Sequence, residues 1–240
     1  MIAVKLWQIS KTFNIPTERQ DSLRERFIHL KLRQTYKALS ALKDINLEVK
    51  TGRWLGVIGA NGSGKSTLLK IISGIYEPDG GRVEVSGRLV PFLELGVGFN
   101  PELSAKDNIF LNGVILGMDR KTLHQKFNSI VSFAGVERFI HLQLKNFSTG
   151  MQLRLGFAVA MQSPADIYLL DEVLSVGDYQ FQQKAKKVFQ RMKREKKTVI
   201  LVSHDLETIK QWCDQVIWLD HGRVRSSGRP GEVIKQYTGQ

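Results

Sequence analysis

Cysteine occurs once in the 240 residues, at Cys213. No intrachain disulfide is available, and such sparse usage fits a reducing compartment. Cys213 itself reads as a small buried residue. No stretch approaches the roughly 18 apolar residues that a membrane-crossing helix requires. The opening Met1-Ile2-Ala3-Val4-Lys5 lacks the basic region and long apolar run of a secretory signal. Acidic side chains are scarce: 23 Asp and Glu face 35 Lys and Arg, a net charge of +12. That excess points to a partner carrying negative charge, with nucleic acid and an anionic membrane face as the candidates. Repeats, low-complexity segments and long linkers are missing too. What remains is 42% hydrophobic residues, enough core for one large α/β domain or one domain with a small lobe.

The chain is organised around Gly59-Ala60-Asn61-Gly62-Ser63-Gly64-Lys65-Ser66-Thr67. An apolar run that reads as a buried strand, Trp54 to Ile58, precedes it, and a helical pattern from Leu68 to Ile72 follows. This is the phosphate-binding loop in the strand–loop–helix setting that supports it. Glycines let the backbone curl around a phosphate with its N–H groups pointing inward. The helix start adds partial positive charge. Gly59, Asn61, Gly62, Ser63, Gly64, Lys65, Ser66 and Thr67 are the expected ATP-binding residues, with Lys65 reaching the β- and γ-phosphates and Ser66 holding Mg²⁺.

Two further strands end in chemistry. Ile167 to Leu170 runs into Asp171-Glu172, about 100 residues after the loop. An Asp at this place holds Mg²⁺, and a Glu beside it orients or deprotonates an attacking water. Thr198 to Val202 runs into Ser203-His204-Asp205. A histidine at the carboxyl end of a strand in an open parallel sheet lies where ligands bind, placed to donate a hydrogen bond to a γ-phosphate.

Elsewhere the pattern predicts strands at 2–9, 44–50, 82–85 and 88–95, and a turn at Pro78-Asp79-Gly80-Gly81. Residues 105–145 read as helical with breaks near Gly117 and Gly135, inside a helical lobe at about 100–160. A final helix is expected at 230–238. Phe13, just after the first strand, reads either as an aromatic that stacks on adenine or as a core side chain. Residues 17–37 form a basic amphipathic helix by pattern, with Leu23, Phe27 and Leu30 on one face and Arg19, Arg24, Arg26, Lys31, Arg33 and Lys37 around the rest. Such a helix suits a membrane surface or a partner groove, or is an ordinary solvated helix packed on its own domain. The basic run between Lys184 and Lys197 reads as a solvated helix face or as part of an anion-binding surface.

Four elements in this order, the loop, Phe147-Ser148-Thr149-Gly150-Met151-Gln152, Asp171-Glu172 and His204, make the chain resemble the ATP-binding subunit of ABC transporters over nearly its whole length. The resemblance implies an α/β P-loop NTPase fold with a mixed sheet core, an antiparallel β subdomain and an inserted helical subdomain, all within one domain spanning 1–240. It implies ATP and Mg²⁺ as cofactors, with Glu172 and His204 catalytic and Ser66 and Asp171 at the metal. The family usually reads Leu-Ser-Gly-Gly-Gln where this chain has Phe147 to Met151. Ser148 and Gly150 match, while Thr149 and Met151 depart. The resemblance implies that Ser148, Thr149, Gly150 and Met151 cap the γ-phosphate of ATP bound on a second copy, so that the active unit is a homodimer. Ser175-Val176-Gly177-Asp178 falls at the dimer-contacting D-loop.

The departures resemble the variant found in exporters of bacterial surface polysaccharides, as does the run from Leu93 to Leu103. Most members carry a glutamine near position 94 that senses Mg²⁺ and the transmembrane partner; Glu94 is the substitute candidate here. The basic helix at 17–37 falls where those exporters carry a membrane-facing insertion, which implies contact with a lipid-linked polysaccharide. The expected assembly is peripheral, on the cytoplasmic face of the inner membrane, with an integral membrane permease and no nucleic acid. The chain ends at Gln240 just after the last helix, which leaves no place for an added carbohydrate-binding domain and argues against recognition of a polymer cap. Another exported cargo, a lipid or drug, and a nucleic-acid-associated ATPase are the competing readings. The run at 93–103 argues against the first; the lack of a second cassette or long coiled coil argues against the second.

Overall fold

A computed structural model describes residues 1–16, 36–92, 98–172 and 178–239. Two sheets form the frame. The first is antiparallel and three-stranded, in the order β2-β1-β4, from β1 (Ile2–Pro16), β2 (Tyr36–Lys50) and β4 (Gly80–Val85). The second has the order β5-β6-β7-β3-β8-β9, from β3 (Trp54–Ile58), β5 (Leu89–Phe92), β6 (Ile167–Asp171), β7 (Thr198–Val202), β8 (Gln215–Asp220) and β9 (Arg223–Gly228). Its strands pair in parallel except for β8 and β9, which are antiparallel.

The central strands of this sheet are continuous apolar runs because both faces are covered. Alternate residues enter different cores. Trp54, Tyr168, Leu170, Val199, Leu201 and Val216 face one side. Leu55, Val57, Leu169, Ile200, Val202 and Ile217 face the other, packed against the antiparallel sheet and the helix α1 (Lys65–Ile72). On the first side Trp54 meets Phe189 edge-on at 5.2 Å and stacks with Trp212 at 6.0 Å. Phe189 belongs to α5 (Tyr179–Arg194) and Trp212 to α6 (Leu206–Trp212).

The helices α2 (Ala105–Ile115) and α3 (Arg120–Ala134) share a third apolar cluster with α4 (Thr149–Gln162). Their ends follow from local chemistry. Ser104 caps α2 by accepting the Asp107 N–H at 3.1 Å, and Asp119 caps α3 by accepting the Thr122 N–H at 2.8 Å. Gly135, at φ 67°, stops α3 in the left-handed conformation that favours glycine. α4 belongs to two cores: Leu153, Phe157 and Met161 join the sheet cluster, while Leu155, Ala158 and Val159 join the helical one. After β9, α7 (Pro230–Thr238) closes the described chain with proline in its first turn.

Several elements depart from the expected boundaries. β1 runs on to Pro16 instead of ending at 9, and β2 begins at Tyr36 instead of 44. Register shifts between Leu6 and Ile9, Ile9 and Lys11, and Lys11 and Thr12, with left-handed backbone at Gln8 and Asp44, interrupt the two-residue alternation. Residues 36 and 37 therefore belong to a strand, and the rest of the predicted basic helix, 17–35, lies outside the described residues. The predicted strand at 88–95 is described only to Phe92. Past α3, the stretch read as helical contains only short 3₁₀ turns at Glu137–Phe139 and Leu144–Asn146.

The basic run on α5 divides by what it touches. Lys184 donates to the carbonyls of Ser132 and Phe133, Arg191 to that of Met161, Lys197 to that of Ala165, and Lys193 pairs with Asp214 at 3.0 Å. Lys184, Arg191 and Lys193 thus hold α5 to its neighbours, and Lys197 holds the chain just beyond it. Among the described residues no helix is long and apolar enough to cross a membrane.

Candidate nucleotide site

The loop between β3 and α1 is shaped by glycines that nothing larger could replace. Gly59 has φ 152°, and a Cβ there would lie 2.2 Å from the Leu219 carbonyl oxygen. Gly64 has φ 109°, and its Cβ would lie 2.6 Å from the Ala41 carbonyl oxygen. β2 and β8 therefore press on the loop from both sides. Between them the turn from β8 to β9 clamps it. The Gly222 N–H donates to the Ser63 carbonyl at 3.0 Å, and the Gly222 carbonyl accepts the Lys43 N–H at 2.8 Å.

Lys65 is 8% exposed, and its Nζ donates to the carbonyls of Gly59 at 2.8 Å and Ala60 at 2.9 Å. Burial holds this ammonium below the ordinary lysine range, against the pull of Asp171 and Glu172. The Ser66 hydroxyl donates to Asp171 Oδ2 at 3.3 Å. Burial likewise pushes the Asp171 carboxyl above the usual carboxylate range, with Glu172 adding to the rise, while the Ser66 hydroxyl, Lys65 and His204 oppose it.

Glu172 follows directly, with left-handed backbone at φ 54°. Its N–H donates to the Val202 carbonyl at 3.0 Å, tying the end of β6 to the end of β7. Its Oε1 accepts the His204 N–H at 3.0 Å and lies 3.6 Å from His204 Nε2. A left-handed conformation at a non-glycine residue is costly and persists where surrounding bonds enforce it. Here it aims the carboxylate at the loop that carries His204.

These groups line one cleft of about 900 Å³, whose walls include Lys65, Ser66, Asp171, Glu172 and His204. A Ser hydroxyl beside a carboxylate is an all-oxygen donor pair suited to a hard cation. Among the described residues no cluster of three metal-binding side chains exists. An oxygen pair of this kind suits Mg²⁺, which is held by few protein ligands.

Phe13 also lines the cleft, half-buried, opposite Leu39 in the register of β1 and β2. Leu39, Lys43 and His221 line it as well, and the sequence reading did not find them. Leu39 is 51% exposed. Its place follows only from the pairing of β1 with β2 across residues 17–35, for which a single strand holds no signal. His221 sits in the clamping turn at φ 44°.

Ser148, Thr149, Gly150 and Met151 stand elsewhere. Ser148 is the N-cap of α4, its Oγ accepting the Met151 N–H at 3.3 Å. The residues lining the cleft do not include these four. Asp178, at the end of the predicted D-loop segment, caps α5 through the Phe181 N–H at 2.8 Å and pairs with Arg154 at 3.0 Å. Glu94 and residues 175–177 lie outside the described residues.

The raised Asp171 carboxyl has a consequence for stability. Its folded pKa is above the unfolded value, so the ionised form opposes folding at neutral pH, and that cost vanishes once both states are protonated. Asp171→Asn keeps an oxygen for Ser66 and removes the charge. It is expected to raise Tm at pH 7.5, with the gain shrinking as pH falls toward the ordinary carboxylate range. A Tm that is unchanged or lower at pH 7.5 would contradict this.

Comparison with known proteins bears on the family and the fold. The chain is 44% identical to the O-antigen export system ATP-binding protein RfbB of Myxococcus xanthus, over 83% of this chain and 46% of that protein. It is 38% identical to the teichoic acids export ATP-binding protein TagH of Lactococcus lactis, over 98% of this chain and 50% of that one. The chain thus spans about half the length of these relatives. Its fold is similar to that of the ATP-binding cassette MJ0796, solved as a dimer in a post-hydrolysis state with ADP and Pi. The TM-score is 0.75 at 22% identity, over 95% of this chain and 98% of that one. The model of the ABC transporter family matches residues 42–175, a span that holds the glycine loop, the helix capped by Ser148 and the acids at the end of β6, and this chain belongs to that family.

Proposed function

We propose that this chain is the ATP-hydrolysing subunit that powers export of a lipid-linked polysaccharide, with a separate membrane permease. The observation that carries the chemistry is the convergence of Lys65, Ser66, Asp171, Glu172 and His204 on one cleft. The backbone of the glycine loop and Lys65 bind the β- and γ-phosphates, and Phe13 provides a face for the adenine. Mg²⁺, when bound by Ser66 and Asp171, neutralises charge on the phosphate oxygens. Glu172 orients the attacking water and accepts its proton, and His204 donates a hydrogen bond to the terminal phosphate.

The polysaccharide cargo is supported by the export relatives and by the departures at Thr149 and Met151 from the usual family pattern. Ser148, Thr149, Gly150 and Met151 serve the nucleotide of a second copy, so the working unit is a homodimer seated against the permease at the cytoplasmic face of the membrane. The basic stretch at 17–37 supplies charge suited to anionic headgroups or to the phosphate of the lipid carrier.

The test is a complementation experiment with the intact gene. Lys65→Ala removes the ammonium that meets the phosphates. It is expected to abolish both Mg²⁺-dependent ATP hydrolysis by the purified protein and surface display of the polymer, while the permease still co-purifies. Normal polymer display with hydrolysis lost would remove the export function. Loss of permease association in the unaltered protein would remove the partner.

A further inference from the structure

The site described so far has a phosphate end, built on β3 and α1, and a base end at Phe13, on a strand of the other sheet. We infer that Asp79 and Tyr76 are positioning residues that hold Phe13 at a set place relative to the phosphate loop. The inference rests on the reading that Phe13 stacks on the nucleotide base.

Phe13 lies past the reach of β4. The ladder between β1 and β4 ends at Ser10 and Gly80. Beyond that rung no strand among the described residues pairs with this edge of β1. Asp79 continues the ladder with its side chain. Oδ2 accepts the Thr12 N–H at 2.6 Å, Oδ1 accepts Lys11 Nζ at 2.7 Å, and its own N–H donates to the Ser10 carbonyl at 2.8 Å. These bonds hold Asp79 below the ordinary carboxylate range. Both carboxylate oxygens are thus committed to the two residues before Phe13. The Lys11 ammonium so held lies 5.8 Å from the centre of the Phe13 ring.

Tyr76 supports the ring itself. It meets Phe13 edge-on, with centroids 5.5 Å apart and planes at 67°. Tyr76 is in turn tied to α1, the helix that begins at Lys65. Its N–H donates to the Lys70 carbonyl at 3.1 Å, and the Lys70 ammonium lies 5.5 Å from its ring centre. A continuous line of contacts therefore runs from the helix under the phosphates, through Tyr76, to the aromatic at the base end. An exposed ion pair between Asp79 and Lys11 would contribute little by itself. Acceptance of a strand N–H at the register shift between Lys11 and Thr12 is a different matter, because it fixes where the next residue points.

The experiment separates base from phosphate. ATP and inorganic tripolyphosphate share the polyphosphate and differ in the nucleoside, so their affinities are measured by calorimetry for the unaltered protein and for each variant. Phe13→Ala is expected to weaken ATP by on the order of tenfold and leave tripolyphosphate unchanged. Asp79→Ala and Tyr76→Leu should show the same pattern at about three- to tenfold. Asp79→Asn, which keeps an acceptor for Thr12, should recover most of the loss. In steady state the effect should appear in KM, with kcat at saturating ATP within about twofold. If the Asp79 and Tyr76 variants weaken ATP and tripolyphosphate in parallel, or leave ATP untouched while Phe13→Ala weakens it, positioning is refuted and base stacking stands. If Phe13→Ala leaves ATP affinity unchanged, base stacking fails and the positioning role falls with it.

Discussion

Glu172→Gln is expected to bind ATP with near-normal affinity and to hydrolyse it about 10²- to 10⁴-fold more slowly, the range that general-base catalysis supplies. The variant is isosteric, and the amide oxygen still accepts the His204 N–H that Glu172 Oε1 accepts at 3.0 Å. The bond from the Glu172 N–H to the Val202 carbonyl is a backbone bond and survives. What disappears is basicity at the point where the left-handed backbone aims the side chain. The phosphate-binding groups, Lys65 and the glycine loop, are untouched, so binding and chemistry should separate cleanly. Rapid-quench measurement of phosphate release gives the rate, and size-exclusion chromatography with ATP shows whether a closed dimer accumulates. Turnover at the rate of the unaltered protein would remove Glu172 from the chemistry.

Gly150→Asp carries the second large effect, and its interest lies in what it should leave alone. Among the described residues, a Cβ at Gly150 meets nothing within 4 Å. The position is in the first turn of α4, where an acidic side chain favours the helix dipole. The variant should therefore fold, keep its Tm within a few degrees and bind ATP in its own cleft, which Gly150 does not line. If the helix start instead approaches the γ-phosphate of a second copy, the new carboxylate meets like charge. Steady-state hydrolysis should then fall by about 10² or more. Mixed dimers with Lys65→Ala in one subunit and Gly150→Asp in the other place both lesions in one composite site and leave the other intact. Such dimers should retain up to half of the activity. Full activity in Gly150→Asp homodimers assembled with the permease would refute a role across the dimer.

The parts of this protein that could be read from sequence are those in which chemistry and local pattern coincide. The loop at 59–67 needs glycines at 59 and 64, where neighbours leave no room for a side chain, and it sits between a buried strand and a helix that periodicity reveals. Asp171, Glu172 and His204 end apolar strands of a parallel sheet, where ligand positions are a property of the topology. The hinges of the helical region were visible for the same reason, since Gly135 and Asp119 stop and start helices by local bonds. Long-range pairing was not visible. β1 and β2 contain bulges that erase the alternation, and their partnership skips residues 17–35, so Leu39 gave no sign of lining the cleft. Asp79 read as a turn residue, which it is; that it also completes a strand ladder depends on where β4 stops. Phe13 had two readings, a base-stacking aromatic or a core side chain; it lies in none of the core clusters, meets Tyr76 and lines the cleft.

The turn between β8 and β9 has a consequence for how the molecule opens. Gly222 donates its N–H to the phosphate loop and offers its carbonyl to Lys43 of the antiparallel sheet, so the two peptide units flanking a single residue join three separate elements. Local unfolding of β2 must break the second bond and loosen the support of the first. The loop and the strands it touches are therefore expected to exchange their amide hydrogens together more than separate elements would. A nucleotide that binds only the closed loop slows exchange there by the factor its concentration bears to its dissociation constant. Protection is expected to reach the Lys43 amide, on a strand of the other sheet, both through this bond and through the cleft that Lys43 lines.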